Sequence, residues 1–289
     1  MSYDMYTGLL KAFPLPTAKN ADMHFVYDND NPQFSQLRSK YPIETIAGDG
    51  GDFSKAVNLL CWISKHIYHK GDHDGAITHN ALTLLDYAYD KGKPCGVNCV
   101  ALATILSECL LAVGLQARRV YLMPCSPYDG DNHAVTHVYV REMNKWVMLD
   151  PTFNAYLTNE QGERLSLLDL RNCLANQTPV FFNNEAKYND DIWTAESAKE
   201  NIAYFAKNLF YFQTFEESTF GSDNAPENRI IVLSPQGYDP KKMRLSNIEY
   251  RIKNLGDSHR IQSWMERVRQ EEYFFCSSVD FEESYDAGI

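Results

Sequence analysis

The sequence predicts an α+β fold, with helices segregated from a mainly antiparallel sheet. Three observations lead there. Apolar residues recur at helical spacing early in the chain, as Phe53, Val57, Leu60, Ile63 and Ile67 do. Past residue 116 the pattern changes to β-rich runs, "ARRVYLMP", "AVTHVYVRE" and "KWVMLDPT". The last two runs are separated by Met143 and Asn144 alone, which predicts a tight hairpin.

Taken in order, residues 1–50 are rich in Asp, Asn, Pro and Tyr and show little periodicity. They read as an irregular segment packing on the core. Asp52 follows "GDGG" and suits the cap of a helix over residues 53–69. A second helix is expected over 80–90, stopping near Gly92. "GVNCVALATILSECLLAVG" predicts a third from about Asn98, with Gly114 in the left-handed position past its end. Strands are expected over 117–124, 134–142 and 145–152. Residues 153–192 look loop-rich, with one short helix near 165–175. An aromatic-rich helix over 194–212, a strand over 228–235, a helix over 258–272 and an acidic tail complete the pattern. The expected organisation is a segment over 1–50, a core over 51–180 and an extension over 181–289 packed on that core. No internal repeat or low-complexity tract is present.

The composition of the 289-residue chain narrows the function classes. Hydrophobic residues make up 44%, enough to bury a sizeable core. Net charge is −11, from 27 basic and 38 acidic residues. That argues against a nucleic-acid binder, which shows a basic patch or stripe, and against an anionic membrane surface. No apolar run is long enough to span a bilayer. The first residues have no basic region followed by an apolar one, so no secretory leader is expected. The seven cysteines are scattered without a CxxC pair, which indicates neither a disulfide framework nor a zinc ribbon. A reduced, cytoplasmic setting is the expectation. Composition leaves the oligomeric state open.

Two local patterns carry chemistry. Cys99 falls in the first turn of its predicted helix, where exposed N–H groups and the helix dipole favour an anion. A thiolate there is a better nucleophile than a thiol in mid-helix, although most buried cysteines are inert packing. In the hairpin, a two-residue turn sets Glu142 opposite Lys145 and His137 opposite Asp150, about 5 Å apart at Cβ. A base oriented by a third group, set against a cysteine at a helix start, is the general form of thiol nucleophile catalysis. Cys95 falls before the helix and suits a structural role. His133 would face Asn154, which holds no charge. "HIYHKGDHD", with His66, His69, His73, Asp72 and Asp74, could offer metal ligands but reads as a helix end entering an exposed loop. The aromatic stripe over 194–212 reads as core packing.

These elements resemble the transglutaminase-like superfamily, which shares a papain-like catalytic core. Cys99 opens the helix, the small Ala103 lies four residues on, and "GLQAR" (residues 114–118) stands where the family has "GIPAR". "HVYVRE" from His137 matches its "HAWVE"-like strand, and "DPT" from Asp150 its "DP" pair. The resemblance covers about residues 53–152. It implies Cys99 as nucleophile, His137 as general base and acid, and Asp150 as the residue orienting His137, with no metal or organic cofactor. It further implies acyl transfer from a peptide or protein amide through a thioester. Asn98 and Val100 replace the Gln and Trp of the crosslinking signature "GQCW", so hydrolysis is favoured over transamidation. An N-glycan amidase and a non-catalytic peptide-binding domain are the alternatives. Neither Asn98 nor Trp62, both possible oxyanion donors, has a motif behind it.

Overall fold

The computed structural model describes residues 2–73, 77–191, 193–225, 227–255 and 259–283. Ser258, the expected start of a helix, and the end of the acidic tail lie outside them. Helices α1 (Tyr3–Ala12), α2 (Gln33–Lys40), α3 (Ile43–Ala47), α4 (Asp52–His66), α5 (Ala81–Ala88) and α6 (Cys99–Ala112) fill the first part of the chain, with the short strand β1 (Val26–Tyr27) between α1 and α2. Strands β2 (Ala117–Met123), β3 (His133–Val140) and β4 (Lys145–Leu149) follow. Next come β5 (Leu157–Thr158), α7 (Leu167–Ala175), β6 (Phe181–Phe182), α8 (Ala195–Asn208), β7 (Tyr211–Phe215), β8 (Glu217–Ser218) and β9 (Ile230–Leu233). The chain continues through α9 (Pro240–Leu255), α10 (His259–Gln270), β10 (Tyr273–Phe275) and α11 (Ser278–Phe281).

The fold is α+β, with eleven helices among the described residues around a six-stranded sheet of order β10-β9-β7-β2-β3-β4. Every pairing in that sheet is antiparallel except β10 with β9. Alternate residues of a strand face opposite sides, and here both sides are covered. Val138 and Val140 of β3, with Val147 and Leu149 of β4, pack into a core shared with α2 to α6. Val135 of β3, Val120 and Leu122 of β2, and Met148 of β4 pack into a second core with α1, α7, α8 and Phe281. Helix α6 is buried along its whole length from Ala101 to Ala112. Each such leucine or isoleucine contributes about 1.5–3 kcal/mol relative to exposure, and this burial holds the helix carrying Cys99 rigidly against the sheet.

Several expectations are corrected. The first 50 residues are only partly irregular: α2 and α3 bury Phe34, Leu37, Ile43 and Ala47. At one to two turns they are too short to show a helical period. The aromatic helix stops at Asn208, and Tyr211–Phe215 instead become β7, drawn into the sheet between β2 and β9. Tertiary pairing overrides local pattern there. Finally, the hairpin turn holds four residues. Val140 pairs with Lys145, and His137 stands opposite Met148 rather than Asp150.

Contacts from outside the hairpin explain this register. Asp52 is the first residue of α4, not its cap, and the cap position is Gly51. The exposed N–H groups of Asp52 and Phe53 donate to the Glu142 carboxylate at 3.2 and 2.9 Å. Arg141 in turn donates to Asp52 through Nε and Nη2, both at 2.6 Å. Asn144 closes the loop at φ 48°, a left-handed conformation that asparagine tolerates.

Candidate active site

Cys99 opens α6. The side chain of the preceding Asn98 accepts from the Ala101 N–H at 3.0 Å and so caps the helix. The segment from Tyr68 to Lys70 runs parallel to the approach to this helix. The Val97 N–H donates to the Tyr68 carbonyl at 3.0 Å, and the Lys70 N–H to the Val97 carbonyl at 2.8 Å. A Cβ on Gly96 would stand 2.8 Å from the Cβ of Lys70, so glycine permits this approach. Cys99 is half-buried, whereas Cys109 and Cys276 are enclosed. Burial pushes the Cys276 thiol up to about 12 and the Cys109 thiol higher still, which makes both poor nucleophiles at neutral pH.

The imidazole that meets Asp150 belongs to His133. Its Nε2 lies 2.7 Å from Asp150 Oδ2, with both side chains almost wholly buried. β4 ends at Leu149, and the chain then turns so that Asp150 and Ala155 exchange backbone bonds of 2.7 and 3.0 Å. Asn154 takes φ 48° in this turn, and Asp150 Oδ1 accepts from the Thr152 N–H at 2.9 Å. The carboxylate is thereby aimed across at the start of β3. His133 also interacts with Cys99 by hydrogen bond and charge. With Nε2 committed to Asp150, Nδ1 is the ring nitrogen left to face the sulfur. Burial alone would lower the affinity of His133 for a proton. The charge and hydrogen bond of Asp150, joined by Cys99, outweigh it and raise the pKa to about 10. The rings of Tyr204, Phe153 and Phe205 surround the imidazole at 5.4, 5.7 and 5.8 Å and fix its plane.

The structure therefore brings Cys99 and Asp150 together through His133 and leaves His137 apart. His137 is fully buried on the same face of β3, in a different cluster. Arg118 Nη2 lies 3.4 Å from its Nδ1, and Glu282 Oε1 lies 3.4 Å from its Nε2. Its ring packs 5.0 Å from Trp146 and 5.9 Å from Phe281. Burial lowers the pKa of His137. Part of the signal was in the sequence: Asn144, a residue that tolerates the left-handed region, can end a longer turn, which moves His137 off Asp150 to Met148, while His133 reaches Asp150 only because the chain turns after Leu149.

The other candidates have their own partners. Cys95 sits in a 3-10 turn, Lys93–Cys95, ahead of the helix. Trp62 donates through Nε1 to the Tyr89 hydroxyl at 3.3 Å. His66 pairs with Asp90 at 2.7 Å and His69 with Tyr188 at 2.9 Å, while the His73 ring packs against Tyr87. Asp74 lies outside the described residues. Among those residues no group of three or more His, Cys, Asp or Glu could hold a metal ion, and no helix is long and apolar enough to cross a membrane.

Residues 40–151, which contain Cys99, His133 and Asp150, match the family model of the transglutaminase-like superfamily. No curated protein and no solved structure gives a significant match.

Proposed function

From a chain whose residues 40–151 match the family model of the transglutaminase-like superfamily, we propose a cysteine-dependent enzyme. It acts on peptide or protein amides through a thioester, with Cys99 as nucleophile, His133 as general base and acid, and Asp150 as the group orienting His133. The observation that carries this reading is the hydrogen-bonded chain from Asp150 through His133 to Cys99 at a helix start. His137 takes no part in it.

The chemistry follows from the charges. A His133 that keeps its proton at neutral pH is the partner of a thiolate. The sulfur attacks the amide carbon, and the new oxyanion accepts from the Cys99 N–H, which a helix start leaves unpaired. His133 gives its proton to the departing amine, leaving a thioester on Cys99. It then takes a proton from water, which attacks the thioester and releases the acid. Asn98 and Val100, in place of the crosslinking signature, favour water over an amine as the acceptor. The free cysteines fit a reducing, cytoplasmic setting.

Iodoacetamide labelling at mildly acidic pH tests the nucleophile. Cys99 is expected to react faster than the other six cysteines, and uniform slow labelling would remove the basis of the proposal. A screen of amide substrates with and without added amine, using Cys99→Ala as control, separates hydrolysis from transamidation. Full turnover by Cys99→Ala would show the mechanism to be wrong.

A further inference from the structure

We propose that His69 is the second donor of the oxyanion hole, giving a hydrogen bond from Nε2–H to the oxygen that turns negative when Cys99 attacks. The inference rests on the acyl-transfer reading and adds a residue to it. Cys99 contributes one backbone N–H, and a low-dielectric oxyanion site gains most from a second fixed donor. Of the side chains that sequence position offers for this role, Trp62 is engaged elsewhere, its Nε1 donating to Tyr89. Asn98 is fixed as the helix cap through its Oδ1, which accepts from the Ala101 N–H.

His69 lies on the segment that flanks the helix start, in parallel pairing with Val97, two residues before Cys99. Its backbone is held on both sides by one residue. The His69 N–H donates to Asn189 Oδ1 at 2.7 Å, and Asn189 Nδ2 donates to the His69 carbonyl at 3.2 Å. Its Nδ1 lies 2.9 Å from the Tyr188 hydroxyl. The Tyr188 ring stands 5.8 Å from Phe153, which itself packs on His133. The charge of Cys99 is felt at Tyr188, and those of His133 and Asp150 at His69, so the pair borders the reacting groups. Burial, aided by His133, pushes the pKa of His69 down to about 4, so the ring is neutral at neutral pH. In this role the Tyr188 hydroxyl is the donor to Nδ1, which places the ring hydrogen on Nε2. A neutral imidazole in a fixed tautomer donates without drawing the proton that His133 must deliver.

In the step itself, the bond from sulfur to carbon forms and the carbonyl π pair moves onto oxygen. That oxygen accepts from the Cys99 N–H and from His69 Nε2–H. No proton leaves His69. Collapse restores the carbonyl and expels the leaving group with its electron pair.

Two reactions of Cys99 separate this role from a structural one. Acylation by p-nitrophenyl acetate passes through an oxyanion, whereas alkylation by iodoacetamide displaces iodide at a saturated carbon and forms none. His69→Ala is expected to slow acylation roughly 10²–10³-fold while alkylation stays within about twofold of wild type. His69→Gln, whose amide can donate, should recover part of the loss. Tyr188→Phe, which frees the tautomer but keeps the ring, should slow acylation about fivefold with alkylation unchanged, and it carries the test if His69→Ala does not fold. Unchanged acylation in all three variants would overturn the inference. So would a parallel fall in both reactions, which would assign His69 to the thiolate or to the fold. A wild-type Cys99 no faster than the other cysteines in either reaction would instead overturn the acyl-transfer reading, and this inference with it.

Discussion

Along β3, His133 and His137 project from the same face, four residues apart. Both are buried, yet their neighbours set them in opposite states. At the start of the strand, His133 meets the carboxylate of Asp150 and the sulfur of Cys99, and its pKa rises to about 10. Further along, His137 is enclosed among Arg118, Trp146, Phe281 and Glu282, and burial lowers its pKa. Arg118 can only donate, so Nδ1 of His137 must accept and its hydrogen sits on Nε2, toward Glu282. Burial is common to the two sites. At His133 a carboxylate hydrogen-bonded at 2.7 Å outweighs burial, so that imidazole is a cation able to deliver a proton, whereas at His137 burial prevails over the Glu282 carboxylate 3.4 Å away and leaves a neutral packing group.

The comparison breaks most visibly in catalysis. Under the proposed mechanism His133→Ala should lower kcat about 10²–10⁴-fold, whereas His137→Ala should leave kcat within a few-fold of wild type. Steady-state kinetics of the two variants on one amide substrate reads this directly, and a reversed pattern would return the general base to His137. Asp150→Asn sharpens the contrast. It should cost about 10²–10⁴-fold in kcat, and an NMR titration should show the His133 pKa moving down from about 10.

Stability against pH should also differ in sign between the two rings. His133 is raised, so its contribution is present in full below its unfolded pKa of about 6.5 and is lost as pH rises through about 10. His137 is lowered, so its contribution is present above about 6.5 and is lost as pH falls through its folded value. Urea unfolding of His137→Gln at pH 8 and pH 5 should show less loss on acidification than wild type, with a cost of about 1–3 kcal/mol at pH 8. The smallest effect is expected for Glu282→Gln. It removes the charge beside His137 and should destabilise by about 0.5–1.5 kcal/mol without changing kcat.

Much of this site was legible in the sequence, in unequal parts. Cys99 could be placed because a helix start, its spacing to Gly114 and the "DP" at Asp150 are local signals. The hairpin was legible as a hairpin. Its register was not, because the choice between two and four turn residues is made by Glu142 reaching the N-terminus of α4 and Arg141 reaching Asp52, contacts 89 residues away in the chain. A two-residue slip keeps every side chain on its face. The apolar alternation therefore fits either register, and the contact of His133 with Asp150 arises from the turn after Leu149, which no strand pattern shows. The outer half of the sheet was hidden for a related reason. "YFQTF" reads as more helix until β2 and β9 pair with it.

Residues 278–283 fold back over the cluster that holds His137. The Ser278 N–H donates to the Pro16 carbonyl at 2.8 Å, the Asn20 N–H donates to Asp280 Oδ1 at 2.9 Å, and Lys19 pairs with Glu283. Phe281 offers its carbonyl to Arg118, and the Glu283 carbonyl accepts from Trp146 Nε1 at 3.1 Å. These stitches join positions up to 264 residues apart. In kinetic terms they are the most expensive loops in the molecule to close, and contacts of such separation slow folding. The helix bearing Cys99 and the β3–β4 hairpin need only local closure. Assembly should therefore run from the middle of the chain outward, with Arg118 left wet until the two distant segments meet over it.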